Sequence, residues 1–287
     1  MTNRTLYGSD MDQDQQLISR TLGVSAEFDA ALEIRRRIAL LSHYLRQASC
    51  RTYVLGISGG VDSLVAGLLA QAAVSELRAD GYDAQFIAAR LPYGVQVDET
   101  DAQKSLGVIG PDRVVTVDIK PAADAMLDAV LVEGEDLIEP ARKHFHLGNI
   151  KARQRMVAQY ALAGSTRGLV IGTDQAAEAL MGFFTKFGDG AADILPLAGL
   201  TKRRVRAIAE HMGAPSELTF KVPTADLESD APLRPDEEVY GVTYDEIDDF
   251  LEGKAVTETA RQRILKTYLA SGHKRALPVA PINEMAG

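Results

Sequence analysis

A chain of 287 residues, 46% hydrophobic and 25% charged, has ordinary globular composition and is long enough for one large domain or two small ones. Its net charge of −9 excludes a protein-wide basic field for nucleic acid or an anionic membrane, so any phosphate must be held by local groups. The one cysteine, Cys50, excludes an intrachain disulfide and zinc sites built on several cysteines.

The N-terminus, Met1-Thr2-Asn3-Arg4, opens no apolar leader, and no apolar run approaches the roughly 20 residues of a membrane span, so a cytoplasmic location is expected. Residues 1–13 are polar and read as loose. Phe28, Ala31, Ile34, Ile38, Leu41 and Leu45 then recur every three or four residues, which predicts an amphipathic helix over 27–48. Arg35, Arg36 and Arg37 are expected on its solvated side. Residues 52–57 are short, apolar and β-rich, hence a buried strand. A Gly-rich loop leads to a helix over 62–79, a strand over 84–91, a helix over 98–107 and a strand over 113–118. Helices over 121–133 and 149–164 and a strand over 168–172 follow. This alternation predicts an α/β fold: a Rossmann-like parallel sheet with helices on both faces and ligands outside the carboxyl ends of its strands. Gly182, Gly188, Gly190 and Gly199, with Phe183, Phe184 and Phe187 between them, break the pattern and predict an irregular functional loop over 182–200. A helix over 201–212 comes next, then an acidic, Pro-rich segment over 221–238 that reads as extended or mobile, then helices over 244–252 and 257–270.

The loop after the first strand carries the chemistry. In Gly56-Ile57-Ser58-Gly59-Gly60-Val61-Asp62-Ser63 the glycines allow close approach of a ligand, and successive N–H groups at a helix start form an anion nest. Ser58 and Ser63 add hydroxyls. Asp62 would repel a phosphate unless a cation lay between them, a role Mg²⁺ fills. The bland alternative makes Asp62 or Ser63 a helix cap and the glycines a tight turn. No Gly-Lys-Ser/Thr follows, so this is not a Walker A loop.

The hexapeptide 58–63 resembles the pyrophosphate loop of the N-type ATP pyrophosphatases, with their adenine-nucleotide alpha-hydrolase-like fold. Further stretches narrow the resemblance: Gly172-Thr173-Asp174-Gln175-Ala176-Ala177-Glu178, Gly182-Phe183-Phe184-Thr185-Lys186-Phe187-Gly188-Asp189-Gly190, Ala192-Asp193-Ile194-Leu195-Pro196-Leu197, Leu200-Thr201-Lys202-Arg203, Pro223-Thr224-Ala225-Asp226-Leu227 and His273-Lys274-Arg275. Together, from about residue 28 to 275, they are similar to ammonia-dependent NAD synthetases. Val61 departs from that family, where glutamine is frequent, but the wider loop pattern leaves the position free. By this resemblance the chain is one domain, 1–287, with an N-terminal helical segment over 1–50 and C-terminal helices over 244–270.

The resemblance implies that the nicotinate carboxylate of deamido-NAD attacks the α-phosphate of ATP, releasing pyrophosphate, and that ammonia then displaces AMP. It implies ATP contacts at 56–63, Arg90, Gln96, Thr173, Lys202 and Thr224. It implies deamido-NAD contacts at Arg153, Lys186, Asp193, His273 and Lys274, and Mg²⁺ ligation by Asp62 and Glu178. Catalytic roles fall to Asp62, Lys186 and Asp189, the last as a base that removes a proton from ammonium. Each carries an ordinary alternative. Glu178 also reads as a helix-surface acid, Thr173 as a cap, Arg90 as half of an ion pair and Asp189 as part of an Asp-Gly turn. Arg153 also reads as surface charge, and Lys202 as part of a solvated basic helix. Lys186 stands alone in an aromatic loop, where a desolvated cation calls for an anion. The family implies a homodimer with the dinucleotide at its interface; Ile150, Met156, Val157 and Tyr160 fit either that interface or the core. About 50 residues precede the phosphate strand, too few for a glutaminase domain, and Cys50 reads as a small buried residue, so free ammonia is the expected nitrogen donor. The rival readings are another adenylating ligase, or a nucleotide sensor without turnover. Two metal-binding acids argue against the sensor.

Overall fold

The computed structural model describes residues 11–95, 99–225, 234–276 and 278–280. Two helices open the chain, α1 (Met11–Thr21) and α2 (Ala30–Gln47), followed by β1 (Thr52–Gly56), α3 (Val61–Ala79), β2 (Gln85–Arg90), α4 (Glu99–Ile109) and β3 (Arg113–Thr116). Next come α5 (Lys120–Gly134), α6 (Lys143–Ser165), β4 (Gly168–Val170), the short α7 (Ala176–Met181) and α8 (Lys202–His211). The remainder is α9 (Ser216–Thr219), β5 (Thr224–Ala225), β6 (Arg234–Pro235), α10 (Asp236–Tyr240), α11 (Tyr244–Leu251), α12 (Glu258–Ala270) and α13 (Gly272–Arg275).

Among the described residues β1 to β4 form one parallel sheet in the order β3-β2-β1-β4, with Thr52 opposite Gln85 on one side and Gly168 on the other. Side chains alternate across it as the strand repeat of two requires. Tyr53 and Leu55 of β1, with Phe86 and Ala88 of β2, pack against α2, α3 and α8. Val54, Ile87 and Ala89 face the other way, onto Ala163 of α6 and Ile119. Two apolar faces explain why β1 and β2 read as continuous hydrophobic runs. The α2 stripe lands as its spacing demands, with Ile34, Ile38, Leu41 and Leu45 buried, and Asp29 caps the helix by accepting the Leu32 N–H at 2.7 Å. A third cluster lies beyond the sheet, where Ala177 and Leu180 of α7 meet Tyr240, Tyr244, Phe250 and Ile264.

The expected order of strands and helices in the sheet region is observed, with three corrections elsewhere. Residues 11–13, read as loose, begin α1. This helix docks on the C-terminal helices through Ile18 and through Gln15, whose amide donates to the Phe250 and Lys254 carbonyls at 2.8 and 2.9 Å. The acidic segment is not extended throughout: residues 236–240 form α10 after Pro235. Helix α6 starts at Lys143, a turn and a half before the expected 149. No helix among the described residues is long and apolar enough to cross a membrane.

Candidate active site

The loop from Ile57 to Gly60 leaves the carboxyl end of β1 and turns into α3. Gly59 adopts φ +89°, and a Cβ there would lie 2.8 Å from the backbone nitrogen of Ala102 in α4. Only glycine fits that close approach at a left-handed backbone angle. The serines brace the turn from within. The Ser58 N–H donates to Ser63 Oγ at 3.3 Å, the Gly60 N–H to Ser58 Oγ at 3.2 Å, and the Ser63 hydroxyl to the Gly60 carbonyl at 3.0 Å. Gly60 is the N-cap of α3 and no side chain caps it. The capping role offered above for Asp62 or Ser63 is therefore not what these residues do, and the positive end of a 19-residue helix is left facing the loop.

Asp62 instead reaches across to α8. Its Oδ2 accepts from Lys202 Nζ at 2.5 Å, while Oδ1 is buried without a hydrogen-bond partner. Lys202 is 2% exposed, which overturns its reading as a solvated-helix residue. Burial works to lower its pKa, but Asp62 and Glu178 outweigh burial and the net shift is upward. Both acids border a cavity of ≈ 290 Å³ with Gly56, Ile57, Ser58, Gly60, Val61, Ser63, Arg90, Thr173, Lys202 and Thr224. Glu178, in the first turn of α7, lines this cavity and is not a helix-surface acid. Burial, and then the Asp62 charge, push its carboxyl well above the usual range, against the pull of Lys202. Asp174 beside it is pushed up to about 7, by burial and by the charges of Asp189 and Asp62. Around Lys202 the carboxyls of Asp62, Glu178 and Asp236 outnumber the one ammonium. Such an excess, with an orphaned Asp62 oxygen, fits a divalent cation. Among the described residues no three His, Cys, Asp or Glu side chains cluster to hold a metal, so such an ion would complete its shell with phosphate and water, as Mg²⁺ does.

Arg90 is buried against its own scaffold: its guanidinium donates to the Ile57 carbonyl and pairs with Glu99 at 2.7 Å. The ion-pair alternative thus describes its present contacts, although it still lines the cavity. Thr224 pairs in register with Pro235 where β5 meets β6. Gln96 lies outside the described residues.

A second cavity of ≈ 390 Å³ opens between α5 and α6, and Arg153, Lys186, His273 and Lys274 come together there. Their cationic groups are tied to backbone oxygens. Lys186 Nζ donates to the His273 carbonyl at 2.7 Å, and Arg153 donates to the Lys186 carbonyl at 3.1 Å. Lys274 Nζ donates to the Gly182 and Phe184 carbonyls at 2.9 Å each. Lys186 is half-buried rather than desolvated, so the argument that its burial demands an anion does not hold. Asp189 borders the first cavity and accepts the Thr185 N–H at 2.7 Å, so turn-making and facing the site coexist in one residue. Its carboxylate is open to the cavity; the surrounding protein raises its pKa, against the Thr185 hydrogen bond and Arg155 and Lys274. Asp193 is not brought to either cavity. Its Oδ2 accepts the Val170 N–H at 2.7 Å, closing the free edge of β4.

The NAD synthase family model matches residues 33–278. The chain belongs to that family. It is 61% identical to the NH(3)-dependent NAD(+) synthetase of Burkholderia lata over 273 residues, 95% of this chain and 97% of that one. The crystal structure of NAD+ synthetase from Burkholderia pseudomallei matches with a TM-score of 0.82 at 55% identity, over 96% of this chain and 100% of the other. NMN synthetase from Francisella tularensis matches with a TM-score of 0.76 at 35% identity, over 89% and 99%.

Several cavity residues escaped the motif reading. Gln159 Oε1 accepts the Gly56 N–H at 2.8 Å, and Arg155 Nε donates to the Leu91 carbonyl at 3.1 Å. With Ala152 they line the first cavity at positions i, i+3 and i+7 of α6, a helical spacing that could have exposed them. Asp236 lines it too, taking the Tyr244 hydroxyl on Oδ2 at 2.9 Å and leaving Oδ1 buried without a partner. No local motif marks it.

Proposed function

We propose that this enzyme makes NAD from deamido-NAD, ATP and ammonia, through an adenylated nicotinate, with release of pyrophosphate and AMP. The observation that carries the reading is the Lys202–Asp62 pair beside Glu178, set at the open N-terminus of α3. The loop amides and helix end would hold the β- and γ-phosphates. Lys202 would neutralise charge that builds on the departing pyrophosphate. Asp62 and Glu178 would hold Mg²⁺, which when bound screens these carboxylates from the phosphates and withdraws charge from the α-phosphorus.

A nicotinate carboxylate oxygen forms the new bond to the α-phosphorus as the bond to pyrophosphate breaks. Ammonium first gives up one proton; the ammonia then attacks the acyl carbon, AMP leaves with the bridging oxygen, and a second proton is lost from nitrogen. Asp189, which borders the first cavity, is assigned the proton taken from ammonium. We assign the dinucleotide to the second cavity and its cations. Val130 leaves apolar surface in that cavity, and Val132, Leu137 and Val157 leave more on α5, the turn after it and α6, which fits a homodimer across α5 and α6. Ile150 packs toward α5 and Tyr160 toward the sheet, so of the four residues weighed above these two serve the core. A cytoplasmic location belongs to the same proposal.

Incubation with ATP, Mg²⁺, deamido-NAD and ammonium should yield NAD, AMP and pyrophosphate in equal amounts. Formation of ADP would overturn the reading, as would a need for glutamine. The Francisella NMN synthetase favours one second reading, with a nicotinate mononucleotide as acceptor. Comparing kcat/KM for the mononucleotide and dinucleotide decides between them, and the relative at 61% identity favours the dinucleotide.

A further inference from the structure

Helix α8 starts without a cap of its own. Thr201 holds the N-cap position, but its hydroxyl donates to Glu252 Oε1 at 3.0 Å instead of serving the helix. The orphan N–H groups are met from another element. Asp248 of α11 accepts the Lys202 N–H on Oδ1 at 3.0 Å and the Arg203 N–H on Oδ2 at 2.7 Å. A carboxylate spanning two free N–H groups at the positive end of a helix makes a strong, directional clamp. Asp248 is 1% exposed, so water does not compete for these bonds. Burial pushes its pKa up to about 6, and the Arg203 and Lys202 N–H groups work against that rise, so it is charged at neutral pH.

Lys202 is therefore held at both ends: its backbone by Asp248 and its Nζ by Asp62. Helix α11 is itself stiffened by a capping box in which Thr243 and Glu246 satisfy each other's N–H groups. Glu252, just past α11, adds contacts to Arg203 at 3.1 Å and Arg204 at 3.4 Å. We propose that Asp248 is a positioning residue for ATP cleavage, fixing the start of α8 so that Lys202 Nζ stays on Asp62 and faces the phosphates. Asp248 lines neither cavity and acts only through Lys202. The proposal rests on the role given to Lys202 above.

A double-mutant cycle on the full-length enzyme tests it. Wild type, Lys202→Ala, Asp248→Asn and the double variant are compared for kcat and for KM of ATP and of ammonium, with folding checked by thermal melting. Lys202→Ala alone reports on the underlying reading: unchanged ATP kinetics there would remove the role of Lys202, whatever Asp248 does. Given that role, Asp248→Asn should lower kcat/KM for ATP about 10-fold and leave KM for ammonium within about twofold. In the Lys202→Ala background it should cost less than about a further twofold, because both changes remove one function. Multiplicative losses, or Asp248→Asn with wild-type ATP kinetics, would overturn the proposal. Should Asp248→Asn fail to fold, Glu252→Gln weakens the same helix start and is judged by the same criterion.

Discussion

The two cavities are built from similar residues in opposite ways. In the first, the central cation pairs with a carboxylate of a distant element, Lys202 of α8 with Asp62 of α3 at 2.5 Å, while Asp236 takes the hydroxyl of nearby Tyr244 at 2.9 Å and Arg90 and Arg155 brace backbone carbonyls. In the second, Lys186, Lys274 and Arg153 donate to backbone carbonyls of the 182–187 loop and of residue 273. The first arrangement fixes charged groups before a ligand arrives, which is the condition for stabilising charge that develops during reaction. The second latches a loop to the C-terminal helices, and its cations must exchange carbonyl partners for a ligand. Changes in the first cavity should therefore act on the chemical step, and changes in the second on binding of the dinucleotide.

The sharpest break of that comparison is Asp62→Asn. Neutralising Asp62, the carboxylate proposed to hold the metal, should lower kcat about 10³-fold while the protein still folds cooperatively, as read by pyrophosphate release and calorimetry. Near-normal turnover would mean that the first cavity is not where ATP is cleaved. Lys202→Ala should follow, with kcat/KM for ATP down about 10²-fold, measured by the same assay over a range of ATP. Lys186→Ala belongs to the other class. It should raise KM for deamido-NAD about 10-fold and shift kcat little; a pure kcat effect would place Lys186 with the reacting groups and erase the distinction.

The last effect is on stability rather than on turnover. The Asp174 pKa is raised from 3.8 in the unfolded chain to about 7, so the folded protein binds the extra proton between those values. Its contribution to stability is therefore highest at low pH, falls as pH rises toward 7, and is constant above. Asp174→Asn, which cannot ionise, should match wild type near pH 4 and melt about 8–15 °C higher at pH 8. An equal difference at both pH values would show that Asp174 is not held in this charged surrounding.

The sheet was legible because β1 and β2 are buried on both faces and read as apolar runs, and because α2 buries one regular stripe. The phosphate loop was legible because glycine at a left-handed φ against Ala102 has no substitute. Helix α1 was not, since it is held by contacts with residues more than 200 positions away, such as Gln15 with Phe250. The same holds for Asp236 and Asp248, acids among many in the C-terminal third, which matter only once α10 and α11 fold back on α8. Lys202 was named by resemblance, but its burial and its partner are tertiary facts. Asp193 and Lys186 show the reverse case: motif membership named them, and the structure gives the first to a strand edge and the second to a backbone latch.

The central claim is that the carboxylate of the acceptor attacks the α-phosphorus of ATP in the first cavity. Deamido-NAD labelled with ¹⁸O in its nicotinate carboxylate, turned over with ATP and ammonium, tests it through the mass of the products. Attack at the α-phosphorus leaves the bridging oxygen on AMP, so AMP should carry one ¹⁸O and pyrophosphate none. Unlabelled AMP, or label in any other phosphate product, would contradict the account.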